Sequence, residues 1–105
     1  MPEHHAFANP PEDCASIEDI CHGIDVLDRD IVRLIGERSR YVKVAVRFKK
    51  SEAGVRAPER QRAMLQERRR WAEQENLSPD TIEKLFEGLS DYFISREMDY
   101  WKDAR

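Results

Sequence analysis

Hydrophobic residues recur at steps of three and four through the first half of the chain: Ile17, Ile20, Ile24, Leu27, Ile31, Leu34, Arg38, Tyr41, Ala45 and Phe48. That spacing predicts one helical face, and Ser16 to Lys50 reads as a single helix of about nine turns. Nine of the ten positions are apolar or aromatic, and the tenth is Arg38. A guanidinium on a packing seam costs several kcal/mol unless an anion meets it. Arg38 therefore implies either a buried carboxylate partner or an anionic ligand. Ser16 with Glu18 and Asp19 supplies an N-cap and an acidic first turn. Gly23 and Gly36 each cost about 1 kcal/mol of helix propensity, which predicts close approach of another element.

The pattern fades after Phe48, and Lys50 to Arg56 has the Gly and small polar residues of a connecting loop. A second helix is predicted from Ala57 to Glu75, with Pro58 in its first turn, contacts through Met64, Leu65, Trp71 and Ala72, and a stop at Asn76. Leu77 is expected to fold back onto the core. Ser78-Pro79-Asp80 then starts a third helix. Its face carries Ile82, Leu85, Phe86, Leu89, Phe93, Glu97 and Tyr100, widened by Tyr92, Met98 and Trp101. Glu97 breaks this pattern as Arg38 breaks the first. With no strand signal, the expected fold is all-α with three helices. A first helix of about 35 residues would extend roughly 50 Å, too long for a compact monomer, so its seam calls for a second copy of the chain.

Composition narrows the classes. The 105 residues make one domain, 37% charged, with mean hydropathy −0.78, hence soluble with a modest core. A net charge of −3 argues against general nucleic-acid or anionic-membrane binding. No run is long and apolar enough for a membrane span or signal peptide, and the expected location is the cytoplasm. Cys14 and Cys21 suggest reduced thiols. Their spacing with His4, His5 and His22 fits no closed zinc pattern, so no metal site is assigned. Residues 1–14, with Pro2, Pro10 and Pro11, read as a disordered lead-in to one helical domain over 15–105.

Arg38 and Lys49 are eleven residues apart, which on a helix places them within about 20° of one another and about 16 Å apart along the axis. The smaller Val42 and Ala45 stand between them. This spacing describes a shallow pocket with a cation at each end, suited to a compact molecule with more than one carboxylate. The same residues also allow a buried Arg38 to Glu97 ion pair, with Lys49 reaching to water. From Arg47 to Arg62 there are six basic side chains against two acidic ones, either a solvated charge run or a lid that brings cations to an anion. No nucleophile with an adjacent base, glycine-rich phosphate cradle or metal-ligand pair is visible. Chemistry here would work by holding and polarising a substrate.

From Pro11 to about Trp101 the sequence resembles the small all-α chorismate mutase family, and within it the isochorismate-pyruvate lyase branch. The likeness runs through Pro11-Glu12-Asp13-Cys14, then Asp25, Asp28 and Arg38, then Tyr41-Val42-Lys43, Arg47-Phe48-Lys49 and Ser51-Glu52. It continues through Ala57-Pro58-Glu59-Arg60, Trp71-Ala72-Glu73 and Tyr100-Trp101. The resemblance implies an intertwined homodimer whose two sites each use residues from both chains, and a small carboxylate substrate handled without a cofactor. It implies that Arg38 binds a substrate carboxylate, and that Lys49, at the lid, contacts the other carboxylate region and the ether oxygen of the enolpyruvyl group. Arg60 matches an arginine beside the site, and Glu97 falls where bacterial members usually carry a glutamine that donates to the ether oxygen.

Two positions depart from the family pattern. Cys21 stands where the first helix usually supplies an arginine to the neighbouring subunit, a loss of at least about tenfold in binding or rate, given roughly 1.5 to 3 kcal/mol per charge-assisted bond. Glu97 donates to an ether oxygen only when protonated, as the glutamate of fungal members does, and this predicts a rate that rises as pH falls. Both changes make the site less suited to a dianion. Three readings are open: an isochorismate-pyruvate lyase with or without weak mutase activity, a diverged enzyme for another small carboxylate, and a non-catalytic helical dimer.

Overall fold

A computed structural model of the chain describes residues 8–103; the expectations for Pro2, His4 and His5 lie outside them. All regular elements among the described residues are helical. The chain divides into two compact units, one up to Arg40 and one from Tyr41 onward, and the long first helix runs through the boundary.

In the first unit Pro11–Asp13 forms a 3-10 turn. The two prolines hold φ near its helical value, and Cys14 N–H closes the turn on the Pro11 carbonyl at 3.2 Å. Helix α1 covers Ile17–Ala45, 29 residues. Its start is fixed reciprocally: Ser16 Oγ accepts from Asp19 N–H at 3.1 Å, and Asp19 Oδ2 accepts from Ala15 N–H at 3.0 Å, which satisfies donors that a helix start leaves open. The predicted face is present but not covered. Ile17, Ile24, Leu27, Ile31 and Leu34 are each more than half exposed. A Cβ at Gly23 or Gly36 would meet nothing within 4 Å among the described residues, so no element among them makes the close approach predicted at these glycines. Asp30 is buried, with Arg33 Nε 3.8 Å from its carboxylate.

The second unit corrects two boundaries. Regular α-helix stops at Ala45 rather than Lys50, and Val46–Phe48 tightens into a 3-10 turn, a usual way for a helix end to satisfy its last carbonyls. The predicted loop from Lys50 to Arg56 contains a short helix, α2, at Glu52–Arg56. Ser51 is its N-cap, with Oγ accepting from Gly54 N–H at 3.0 Å, and Val55 is 1% exposed; a cap and one buried valine outweigh the glycine. Ala57 turns the chain in the left-handed region (φ 41°) and Pro58 opens α3, Pro58–Gln74.

Helix α3 ends in a Schellman arrangement about Asn76 (φ 60°), with Leu77 N–H bonded to the Ala72 carbonyl and Asn76 N–H to that of Glu73. Leu77 turns back in its backbone only, since its side chain is half exposed. Ser78 Oγ accepts from Thr81 N–H at 3.2 Å and starts α4, Pro79–Asp103. Helices α3 and α4 form the main packed pair, burying Met64 and Ala72 from one and Ser90, Phe93 and Met98 from the other. Arg69 clamps them at the hairpin end, reaching Asp80 at 2.8 Å and Glu83 at 2.6 Å.

Candidate active site

Lys49 follows the 3-10 turn and is held at both ends. Its Nζ donates to the Gly54 carbonyl in α2 at 3.2 Å, and its own carbonyl accepts from Trp101 Nε1 of α4 at 3.1 Å. The first bond joins the ammonium to α2, and the second fixes the backbone that carries it. A carbonyl is a neutral acceptor, and a charge-assisted bond to an anion is roughly twice as strong. An incoming carboxylate can therefore displace Gly54 from Lys49.

Glu97 is one helical turn before Trp101 on α4 and is buried, 8% exposed, in the stripe that begins with Phe93. An apolar seam has thus enclosed a carboxyl group close in sequence and in helical phase to the anchor of Lys49. On α1, Arg38 is half-buried and its Nη1 is out of contact with solvent. Val42 and Ala45 are half-buried as well. Arg60 lies exposed in the first turns of α3, and Cys21 lies exposed in those of α1.

Lys49 and Glu97 both belong to the second unit, where the Lys49 carbonyl is bonded to Trp101, one helical turn after Glu97 on α4. Cys21 and Arg38 belong to the first unit, which contributes the exposed seam. Neither Trp101 nor Gly54 stands among the site residues expected from the sequence. Trp101 carried a signal, since it follows Phe93 and Glu97 at steps of four. The Gly54 carbonyl carried none, because a backbone acceptor leaves no trace in residue type.

Near the end of α4, Arg96 donates to the Tyr100 hydroxyl at 2.8 Å. That bond, with the charges of Arg96 and Lys43, holds the phenol below its usual pKa. Cys14, half-buried, has its thiol pushed up by burial and by Asp19, Asp13 and Glu12. Its Sγ faces the Pro10 carbonyl at 3.6 Å, a structural contact rather than that of an activated nucleophile. No helix among the described residues is long and apolar enough to cross a membrane.

The chain is 47% identical over 95 residues to isochorismate pyruvate lyase of Pseudomonas aeruginosa, covering 90% of this chain and 94% of that protein. It is 38% identical over 71 residues to the T-protein of Haemophilus influenzae, covering 67% of this chain but only 19% of that larger protein. The model of the chorismate mutase type II family matches residues 20–98, from the second turn of α1 to the buried end of α4. That span takes in α2 and α3 whole and most of α1 and α4, and the chain belongs to the chorismate mutase type II family.

Proposed function

We propose that the protein is an isochorismate pyruvate lyase that converts isochorismate to salicylate and pyruvate and works as a homodimer. The observation that carries the reading is the 47% identity to the Pseudomonas lyase over nearly the whole of both chains. The reaction is intramolecular: a ring hydrogen moves to the enolpyruvyl methylene as the ring carbon to ether oxygen bond breaks, so no external acid, base or electron carrier is consumed. The residues of this chain would select the folded conformer and place positive charge where the ether oxygen gains electron density. Arg38 would hold one carboxylate. Lys49, released from Gly54, would meet the ether oxygen and the second carboxylate, and protonated Glu97 would donate to the ether oxygen. Weak rearrangement of chorismate to prephenate would use the same groups.

The exposed α1 seam supports the dimer. Five Ile and Leu side chains more than half exposed on one helix of about 43 Å form an apolar surface that a soluble monomer rarely presents, and a second α1 has the matching face and length. In such a pair the Cys21 turn of one chain would face the Lys49 site of the other. Cys21 and the buried Glu97 also favour a second reading, a substrate with one carboxylate in place of two. Incubation with isochorismate and with chorismate at pH 5 and 7.5 separates the two, with salicylate fluorescence as readout and Lys49→Ala as control. Salicylate above background and lost in the control supports the lyase. Background rates at both pH values with a folded dimer would exclude it and leave the second reading.

A further inference from the structure

Between the last turn of α1 with its 3-10 extension and the last turn of α4 lies an open cavity of about 680 Å³. Lys43, Arg47, Lys49 and Lys50 line it, with Asp103 the one carboxylate among the described residues. Lys43 Nζ sits 5.4 Å from the Tyr100 ring centre. Arg47 and Lys50 form no hydrogen bond or ion pair among the described residues. Cations do belong at helix C-terminal ends, and two such ends meet here. Those ends contribute about −0.5 each, and with Asp103 the negative charge is about −2 against four cations. An excess of about +2 therefore remains in a chain whose net charge is −3.

The walls of the cavity are apolar and aromatic. Val46 is buried, and the Trp101 ring is fixed by its bond to the Lys49 carbonyl. A rigid aromatic wall beneath uncompensated cations suits a flat apolar body with one anionic head. The excess charge would repel the ammonium of an aromatic amino acid, and inorganic phosphate has no body to fill the wall. Of the candidate substrate residues only Lys49 borders this cavity; Arg38, Val42, Ala45, Arg60 and Glu97 do not.

We infer that this cavity is an effector site for an aromatic monocarboxylate, the class to which the proposed product belongs, and that its occupant inhibits turnover by drawing Lys49 away from the substrate. The site itself stands on the cavity, its charge and its wall. The inhibition rests in addition on the proposed lyase function.

The test titrates benzoate into the 105-residue chain carrying Trp71→Phe, which leaves Trp101 as its only indole. The expected result is a saturable fluorescence change that survives Arg38→Ala or Arg38→Lys. It should weaken at least about tenfold in Lys43→Gln/Arg47→Gln, at roughly one tenfold step for each charge-assisted bond removed. It should also be weaker with cyclohexanecarboxylate and absent with inorganic phosphate. In the turnover assay benzoate should lower kcat, and Lys43→Gln/Arg47→Gln should keep the basal rate and lose the inhibition. A response lost with Arg38 and kept in Lys43→Gln/Arg47→Gln would place benzoate in the substrate site and overturn the proposal, as would the lack of a saturable response. If the protein fails to turn over isochorismate, the fluorescence arm alone still decides the site.

Discussion

From Tyr41 onward the chain buries Val55, Met64, Phe93 and Met98 to below a tenth of their surface, whereas up to Arg40 the one buried side chain among the described residues is the carboxylate of Asp30. The earlier region is the richer of the two in Ile, Leu and Val, so hydrophobicity does not explain the contrast. The difference lies in connectivity. The later region turns at Ala57 and folds back at Asn76, and the return lays α4 against α3, α2 and the 3-10 turn. The earlier region is one long helix preceded by a short 3-10 turn, and among the described residues its apolar face stays largely exposed. The result is a division of labour: the later region holds Lys49 and Glu97, and the earlier one carries the surface and the Cys21 turn that a second copy would need.

Charging the seam should break this division most severely. Ile24→Glu with Ile31→Glu would bury carboxylates in the proposed α1 pair at about 3 kcal/mol or more each. Light scattering should then show a monomer, with loss of turnover; a stable active dimer would remove the seam from the interface. In the later region Phe93→Ala should cost about 3–5 kcal/mol by opening a cavity, read from urea unfolding. Its effect should appear as a lower transition midpoint, with the dimer retained below that midpoint.

The order of the helices was legible in the sequence because their faces repeat and their caps are explicit: Ser16, Pro58, Asn76 and Ser78 all act at the ends where they were expected. The short helix α2 was not, since Glu52 to Arg56 is too short for periodicity to speak and its stability comes from one buried valine and one serine cap. Gly23 and Gly36 have no packed neighbour among the described residues, for a related reason. A sequence shows that a residue is small, but it does not say whether the space beside it belongs to the same chain. At the site, Arg38 and Glu97 stood out as charges on apolar faces, while the Trp101 bond to the Lys49 carbonyl involves a backbone acceptor and left only a step of four to notice.

That bond offers a finer test of the later region. Trp101→Phe keeps an aromatic ring and removes the donor, so it should cost about 1 kcal/mol of stability. It should lower kcat about tenfold, the loss that about 1.4 kcal/mol of misplacement produces, with KM little changed. A rise in KM of the same size with constant kcat would make Trp101 a packing residue only. The smallest effect is expected from Glu97→Gln, which should flatten the pH profile. The native carboxyl donates only in its acid form, so turnover should rise as pH falls toward 5, whereas the amide donates at every pH. A native rate flat from pH 5 to 8 would remove Glu97 from this role.

The sharing of sites between copies is tested most directly by complementation. Cys21→Trp should block the turn offered to the neighbouring site, and Lys49→Ala should remove the cation of a chain's own site. Each variant alone should therefore be inactive toward isochorismate. After unfolding together and refolding as an equimolar mixture, half of the dimers should be mixed, and each mixed dimer should carry one site with both Cys21 and Lys49 intact. The account predicts recovery of about a quarter of native activity. Recovery of none, with mixed dimers shown to form, would place both residues in the site of a single chain and contradict it.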